Sequence, residues 1–493
     1  MGLCLDTELL REKTLELLAD VGLKVEHEQI VRVMLDRGCA LSPTGRVRIP
    51  AALVDELSAS QERTRARDDD DQLLVPSCGP DWAHWIVWTG QKAEVRDRMR
   101  REFLMPAFDC GPTQFYDDQT KALVAVNTDT FVRMMQLAEA TPEIGYVSTW
   151  YRQDVPPATE RLESLVLALR YTRKVDGIEA ISPGMIEYLI EAGEIITGKR
   201  DGRYLAGSQC LISPLILDHR ASEDMLERRR CGVPRYHAAS MPTIGISTPV
   251  TVAGAITIGA AEILGCLVAA FCLAPEADLS GRMISTVMDM RTADAASAGP
   301  ENVAVIAGVK KLFDEHFGGH LWTETYFSPS TNRPGLQAVY QNFFASSCLG
   351  RLRGDAFLPY PGMGTLDNGG VGSPTQLMLD LEIRKSQFAL QDNVDVSAAT
   401  LQFDEIRRRI ETGETFLDSE HTVANFRSLW QSAVFPLTLP EVMPEGGDER
   451  RILALCEAKW RANLESYRPP EPLPDHVSEG LEALLQRARR ELS

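Results

Sequence analysis

Basic charge is what this 493-residue chain lacks most plainly: 51 Lys and Arg stand against 70 Asp and Glu, a formal charge of −19. Nucleic acid and anionic membrane both need a basic face to dock on, so neither is an expected partner. Paired cysteines are missing too. The ten cysteines run from Cys4 to Cys456 without a CxxC spacing. The N-terminus carries acids from Asp6 onward instead of a secretory leader. Reduced thiols in the cytoplasm are the expectation. Metal-ligand spacing is equally scarce. His316 and His320 stand four apart, but Gly318 and Gly319 would end a helix between them, so no metal is expected. No Ser–His pair suggests itself, and no lysine or metal set for lyase chemistry is visible at a strand end. A single run is apolar enough to span ~30 Å of hydrocarbon. It is Pro249–Pro275, with Glu262 as its one charge. It is made of Ala, Gly, Thr and Ile and has no basic flank, so it reads as a buried helix and not as a membrane span.

What is present is ordinary globular material, 44% hydrophobic and 25% charged. Residues 1–102 read as a helical cap with a small β region. Helices are expected over the first twenty residues, over Glu28–Asp36 and after Pro50, with a short strand at Arg46–Ile49 and a solvated acidic turn at Asp68–Asp71. Residues 103–391 alternate short apolar runs with helical patterns. The strands expected are one within Phe103–Phe115, then Tyr146–Tyr151, Gly177–Ile181, Tyr204–Ile212, His237–Ile246, Ala277–Ser285, Leu321–Phe327 and Ala356–Tyr360. Each is followed by a helix, which predicts an α/β fold of the TIM type: a (β/α)8 barrel with helical N-terminal and C-terminal extensions. The first strand is the weakest of these signals, and a doubly wound open sheet is the alternative. Residues 392–493 read as a helical C-terminal extension broken by Pro436, Pro440 and Pro444 and by Pro469–Pro474.

In such a barrel chemistry sits at the carboxyl ends of the strands. Aromatic residues gather there: Trp150, Tyr151, Tyr326, Phe327 and Tyr360. Ring faces attract a quaternary ammonium, which has no hydrogen-bond donors, by about 0.5–2 kcal/mol each. Glu324 offers a countercharge, and Gln209 and Met363 complete the expected substrate-binding set. No catalytic acid or base is assigned. After the last strand a glycine-rich loop carries Gly362, Gly364, Gly369 and Gly370. It lacks a phosphate-loop lysine, and Asp367 opposes an anion, although backbone N–H groups there leave phosphate binding open. A low loop that admits a bulky cofactor is the other reading.

Several segments resemble the trimethylamine methyltransferase family. They are Ser247–Gly254 with Ala261–Gly265, Val287–Thr292, Ser213–Leu215, Gly369–Ser373 leading to Leu379–Ile383, and Phe416–Asp418 with His421–Thr422. The opening LLADVGLKVEHEQI with its later RVRIP is also similar. The resemblance runs through nearly the whole chain in order. It implies a barrel that hands a methyl group to the Co(I) of a cobalamin-type corrinoid. That cofactor is supplied by a partner corrinoid protein and not held tightly by this chain. Family enzymes for trimethylamine carry pyrrolysine near the loop after the seventh strand, where Ser328–Asn332 are ordinary residues here. The resemblance therefore implies the branch acting on quaternary amines. These already carry the positive charge and leave as neutral amines, so orientation and water exclusion suffice. Relatives specific for glycine betaine tend to have His at the end of the last strand. The matching position is Pro361, which points toward a different quaternary amine. Arg152 and Arg333 are candidates for holding a substrate carboxylate. A relative drifted to another methyl donor, or a subunit that only binds a corrinoid protein or a quaternary ligand, is the alternative. The length of the apolar run Val250–Leu273 further suggests a homo-oligomer.

Overall fold

The computed structural model describes residues 3–70, 105–108, 111–175, 177–200, 202, 204–318, 320–322, 329–353, 363–389, 395–435 and 447–492. Helices Thr7–Asp20, Glu28–Asp36 and Ala51–Asp70 open the chain, with Ala40–Leu41 antiparallel to Val47–Arg48. Asp6 caps the first helix by accepting from Leu9 N, which satisfies one orphan amide and stabilises by about 1 kcal/mol. The acidic turn expected at Asp68–Asp71 is overturned: Asp68, Asp69 and Asp70 are the last residues of a helix. Good helix formers upstream carry the helix through them, and Asp71 lies outside the described residues.

The middle of the chain is a series of parallel pairings between strands that alternate with helices. Met105–Ala107 pairs with Ile144–Val147, and Val147 bridges Val175. Ile178–Glu179 pairs with Leu205–Ala206. Gln209–Cys210 then pairs with Arg235–Ser240, which pairs with Asp278–Met283, which pairs with His320–Trp322. Gly207 divides the expected strand Tyr204–Ile212 in two, because its φ of +100° takes it out of the extended region. The weak first strand is Met105–Ala107, inside the predicted window. The expected strand Ala356–Tyr360 lies outside the described residues. Just beyond it, Phe108 N donates to Met363 O at 2.8 Å, so the chain after that segment meets the end of the first strand.

The long apolar helix is Val252–Leu273, capped by Thr251, and it is buried without a break from Gly259 to Leu273. It is long and apolar enough to cross a membrane, but 89% of its most apolar window is covered inside the fold. It packs on strands Arg235–Ser240 and Asp278–Met283 on one side. On the other it meets Thr7–Asp20, Glu28–Asp36, Ala51–Asp70 and Pro300–Leu312. The chain's own N-terminal helices thus cover the apolar surface that suggested an oligomer, so this helix supplies no reason for one. Each Leu, Ile or Phe so buried contributes about 1.5–3 kcal/mol.

A second core is closed from the other end of the chain. Gly447–Glu465 packs on Thr128–Ala140 and Pro374–Ala389, and Asp475–Glu491 packs on Glu160–Ala168 and Pro183–Thr197. Trp460 and Cys456 from the first of these helices, and Leu481, Leu484 and Leu485 from the second, enter the same buried cluster as Trp150 and Leu165.

Candidate functional site

Side-chain direction along the parallel strands follows from a few hydrogen bonds. Tyr236 Oη donates to Met225 O, and Ser240 Oγ donates to Glu262 Oε2 at 2.5 Å, so even positions of Arg235–Ser240 face the helices. Odd positions take the other face. There His237 Nδ1 lies 2.7 Å from Ser280 Oγ on the neighbouring strand. Burial, with the positive charges of Arg282 and Arg228 nearby, holds His237 well below its ordinary value, so its imidazole is neutral.

A cleft of ≈ 200 Å³ opens at the carboxyl ends of three successive parallel strands. Its walls include Glu179, Cys210, Arg220, Asp224, Arg228 and Met241. Glu179 ends one strand. Although 41% of its side-chain surface stays exposed, loss of water raises its carboxyl above the ordinary value, while Arg220 and Arg161 pull the other way. Arg220, in the first turn of the helix His219–Arg230, brings a guanidinium nitrogen to 3.7 Å from Glu179 Oε1 and stays 61% exposed. Burial raises the Cys210 thiol to about 11, with Glu179 adding to the effect, so the thiol is protonated at neutral pH and is no nucleophile. Gly207 is needed where it stands: a Cβ there would lie 2.9 Å from Glu179 Cγ.

The residues expected to bind substrate part company in the structure. Trp150 is fully buried, edge-on to Phe108 with ring centroids 4.8 Å apart, and Gly372 leaves room for its indole. Met363 is fully buried as well. Gln209 is a strut: its Oε1 accepts from His237 N at 2.7 Å and its Nε2 donates to Asp224, which also accepts from Arg228 Nε. Tyr151 is half-buried near Glu179, and one face of its ring is already covered by Arg161 at 4.0 Å. Glu324, Tyr326, Phe327, Tyr360, Pro361 and Gly362 lie outside the described residues. Arg152 is buried and held by Ser164 and Thr128, so it is structural, whereas Arg333 is exposed.

The described glycines of the loop answer to backbone conformation and close packing. Gly364 has φ +78°, and a Cβ there would meet the Phe108 ring at 2.6 Å; Gly369 has φ +97° and is buried. Gly370 O accepts from Thr113 N and Gln114 N. What the loop exposes is Asp367 and Asn368. Their amides donate to Thr331 O at 2.8 Å and Pro329 O at 3.0 Å, so this loop is tied to the one the resemblance singled out. Beneath it Asp380, fully enclosed, accepts from Gly364 N, Gln376 Nε2 and Asn342 Nδ2, and burial pushes its carboxyl up to about 6.

A sequence model of the trimethylamine methyltransferase family matches residues 102–493. The chain belongs to that family. The family match begins after the N-terminal helices, yet similarity to individual members extends over them. The trimethylamine methyltransferase of Desulfitobacterium hafniense is 25% identical over 494 residues, 99% of this chain and 94% of its own length. One from Methanosarcina mazei is 26% identical, covering 97% of this chain and 92% of the relative. Another from Methanosarcina barkeri is 24% identical over 83% of this chain and 79% of its own. Sequence reasoning missed Glu179 and Arg220. The signal for Glu179 was a lone acid inside an otherwise apolar predicted strand; Arg220 had none, because only the fold brings its helix start to that strand end.

Proposed function

We propose that this family member moves a methyl group from a betaine-like quaternary amine to the cobalt of a corrinoid carried by a separate protein. The same reading takes the parallel pairings as arcs of one closed (β/α)8 barrel, a reading supported by the bond from Phe108 N, after the first strand, to Met363 O. The observation that carries the proposal is the pairing of Glu179 and Arg220 across a small cleft at the strand ends. A zwitterion with an ammonium at one end and a carboxylate at the other would part that pair. Glu179 would then face the ammonium, and Arg220 would hold the carboxylate with a bidentate fork. Met241 and Ile181 would line the apolar flank of the methyls.

The residues present fit a methyl acceptor brought from outside. Cys210 is held protonated, and His237 is buried away from the cleft, so neither competes for the methyl. The corrinoid supplies the nucleophile. This chain orients the methyl group and keeps water from the charged nitrogen, and the departing neutral amine needs no proton.

The test mixes the protein with a cob(I)alamin-loaded acceptor and follows the Co(I) absorbance with glycine betaine, proline betaine, carnitine, γ-butyrobetaine, choline and trimethylamine. Conversion of a carboxylated quaternary amine is expected, with choline, which has no carboxylate, much slower. Glu179→Gln should lower kcat/KM about tenfold to a hundredfold, as a partly desolvated cation contact of ~2 kcal/mol implies. Turnover of trimethylamine alone, or ligand binding with no methyl transfer, would overturn the proposal.

A further inference from the structure

His27 and His219 are 192 positions apart in the chain, yet their rings stack with centroids 5.2 Å apart and planes 15° from parallel. The cause is a parallel pairing of Lys24–Val25 with Ile216–Leu217, which lays the N-terminal helices beside the start of the helix His219–Arg230. Glu223 stands one turn further along that helix, on the same face as His219, and its Oε1 is 3.1 Å from His219 Nε2. One potential ligand atom from each of His27, His219 and Glu223 lies within 4.8 Å of the others. His27 Nδ1 accepts from Gln29 N as the cap of the helix Glu28–Asp36, which leaves Nε2 for a ligand.

We propose that His27, His219 and Glu223 form a binding site for a divalent transition metal of the zinc type that fastens the N-terminal helices to the helix His219–Arg230. Two imidazoles and one carboxylate are a donor set that zinc accepts, with bonds of about 2.0–2.2 Å and the fourth position left to water. The donor atoms must draw together from the separation they show. Two of the three are free to do so, since His219 is 60% and Glu223 44% exposed at the side chain. A cation at a helix N-terminus meets the positive end of the helix dipole. Glu223 and the capping carboxylate of Asp218, which accepts from Ala221 N, offset that charge. His219 Nδ1 lies 3.4 Å from Glu26 O, and a carbonyl so placed can orient a metal-bound imidazole by accepting from its other ring nitrogen. The bound metal would close a loop of nearly two hundred residues, from the N-terminal helices to the helix that also carries Arg220.

The experiment titrates the chelator-treated full chain with Zn2+ by calorimetry and with Co2+ by visible absorption. Neither readout depends on methyl transfer, so the site and the proposed activity stand or fall separately. One Zn2+ per chain is expected, with a Co2+ d–d spectrum of nitrogen and oxygen ligands. Saturating Zn2+ should raise the Tm. His219→Ala, Glu223→Gln and His27→Asn, the last keeping a side-chain acceptor for the helix cap, should each weaken binding at least tenfold and abolish the Tm rise. Absence of binding at 100-micromolar Zn2+ (about a hundred times a micromolar Kd, by the same mass action), unchanged affinity in the variants, or a near-ultraviolet thiolate band placing Co2+ on cysteine would each overturn the proposal.

Discussion

Single carboxylates raised above their ordinary values do different work in this chain, and their surroundings decide which. Glu179 keeps an opening to solvent and a loosely placed arginine, so it is available to a ligand. Asp380 is enclosed among neutral donors that hold the glycine-rich loop. Its carboxyl is pushed up to about 6 by burial, from an ordinary value near 3.8. The folded chain therefore binds this proton more tightly than the unfolded one. The stabilisation is complete below pH ~4 and is lost as pH rises through about 6, an amount of roughly 3 kcal/mol. Asp380→Asn has no such proton. Urea midpoints for the two proteins between pH 4 and pH 7 should show the wild type losing ground to the variant as pH rises; a constant difference would refute the assignment. Sequence reading found Trp150, Met363 and Gln209 at strand ends but not which way they point. One residue of register sends a side chain to the opposite face. Trp150 and Met363 went into the core, and Gln209 bonded Asp224 of the helix layer.

Among the elements, the helix Val252–Leu273 shows how one polar residue fixes the register of an apolar rod. Its residues read as core from composition alone, and the 3.6-residue repeat carries no preferred face because nearly every side is buried. Glu262 supplies what the apolar pattern cannot. It accepts from Ser240 Oγ at a strand end, from Ser213 Oγ at 2.8 Å and from Leu215 N at 2.9 Å, in the turn after the next strand back. Glu262→Ala would strand a buried amide and two hydroxyls and leave a void. A loss of roughly 3 kcal/mol is expected, against under ~1 kcal/mol for Glu262→Gln, which keeps an acceptor for Leu215 N and a donor for a serine. Urea unfolding of both variants checks the ordering, and equal losses would refute it.

At the scale of the whole molecule, the two ends of the chain close two different cores. The N-terminal helices lie on Val252–Leu273, while the last two helices lie on the helices that follow the first parallel strands. Residues 3–61 therefore bury side chains in the same core as the family-matched region, although the family match begins at residue 102. Deleting residues 1–61 would expose Leu264, Leu267 and Phe271 along one apolar face, a patch of the kind that drives aggregation. The truncated protein should be recovered insoluble or binding a hydrophobic dye strongly. A soluble fragment with an unchanged circular dichroism spectrum would show that the two parts fold independently.

The sequence by itself determined the family and the elements whose causes are local. Helix starts at Glu28 and Thr128 and the buried nature of Val252–Leu273 follow from local causes: caps, propensity and apolar periodicity act within a few residues. Only the tertiary structure decided which of those residues meet. Glu179 faces Arg220, and His27 stacks on His219, because parallel pairings join segments that are far apart in the chain. No local pattern encodes such a pairing: its contacts are chosen by how whole layers of strands and helices bury their apolar faces against one another.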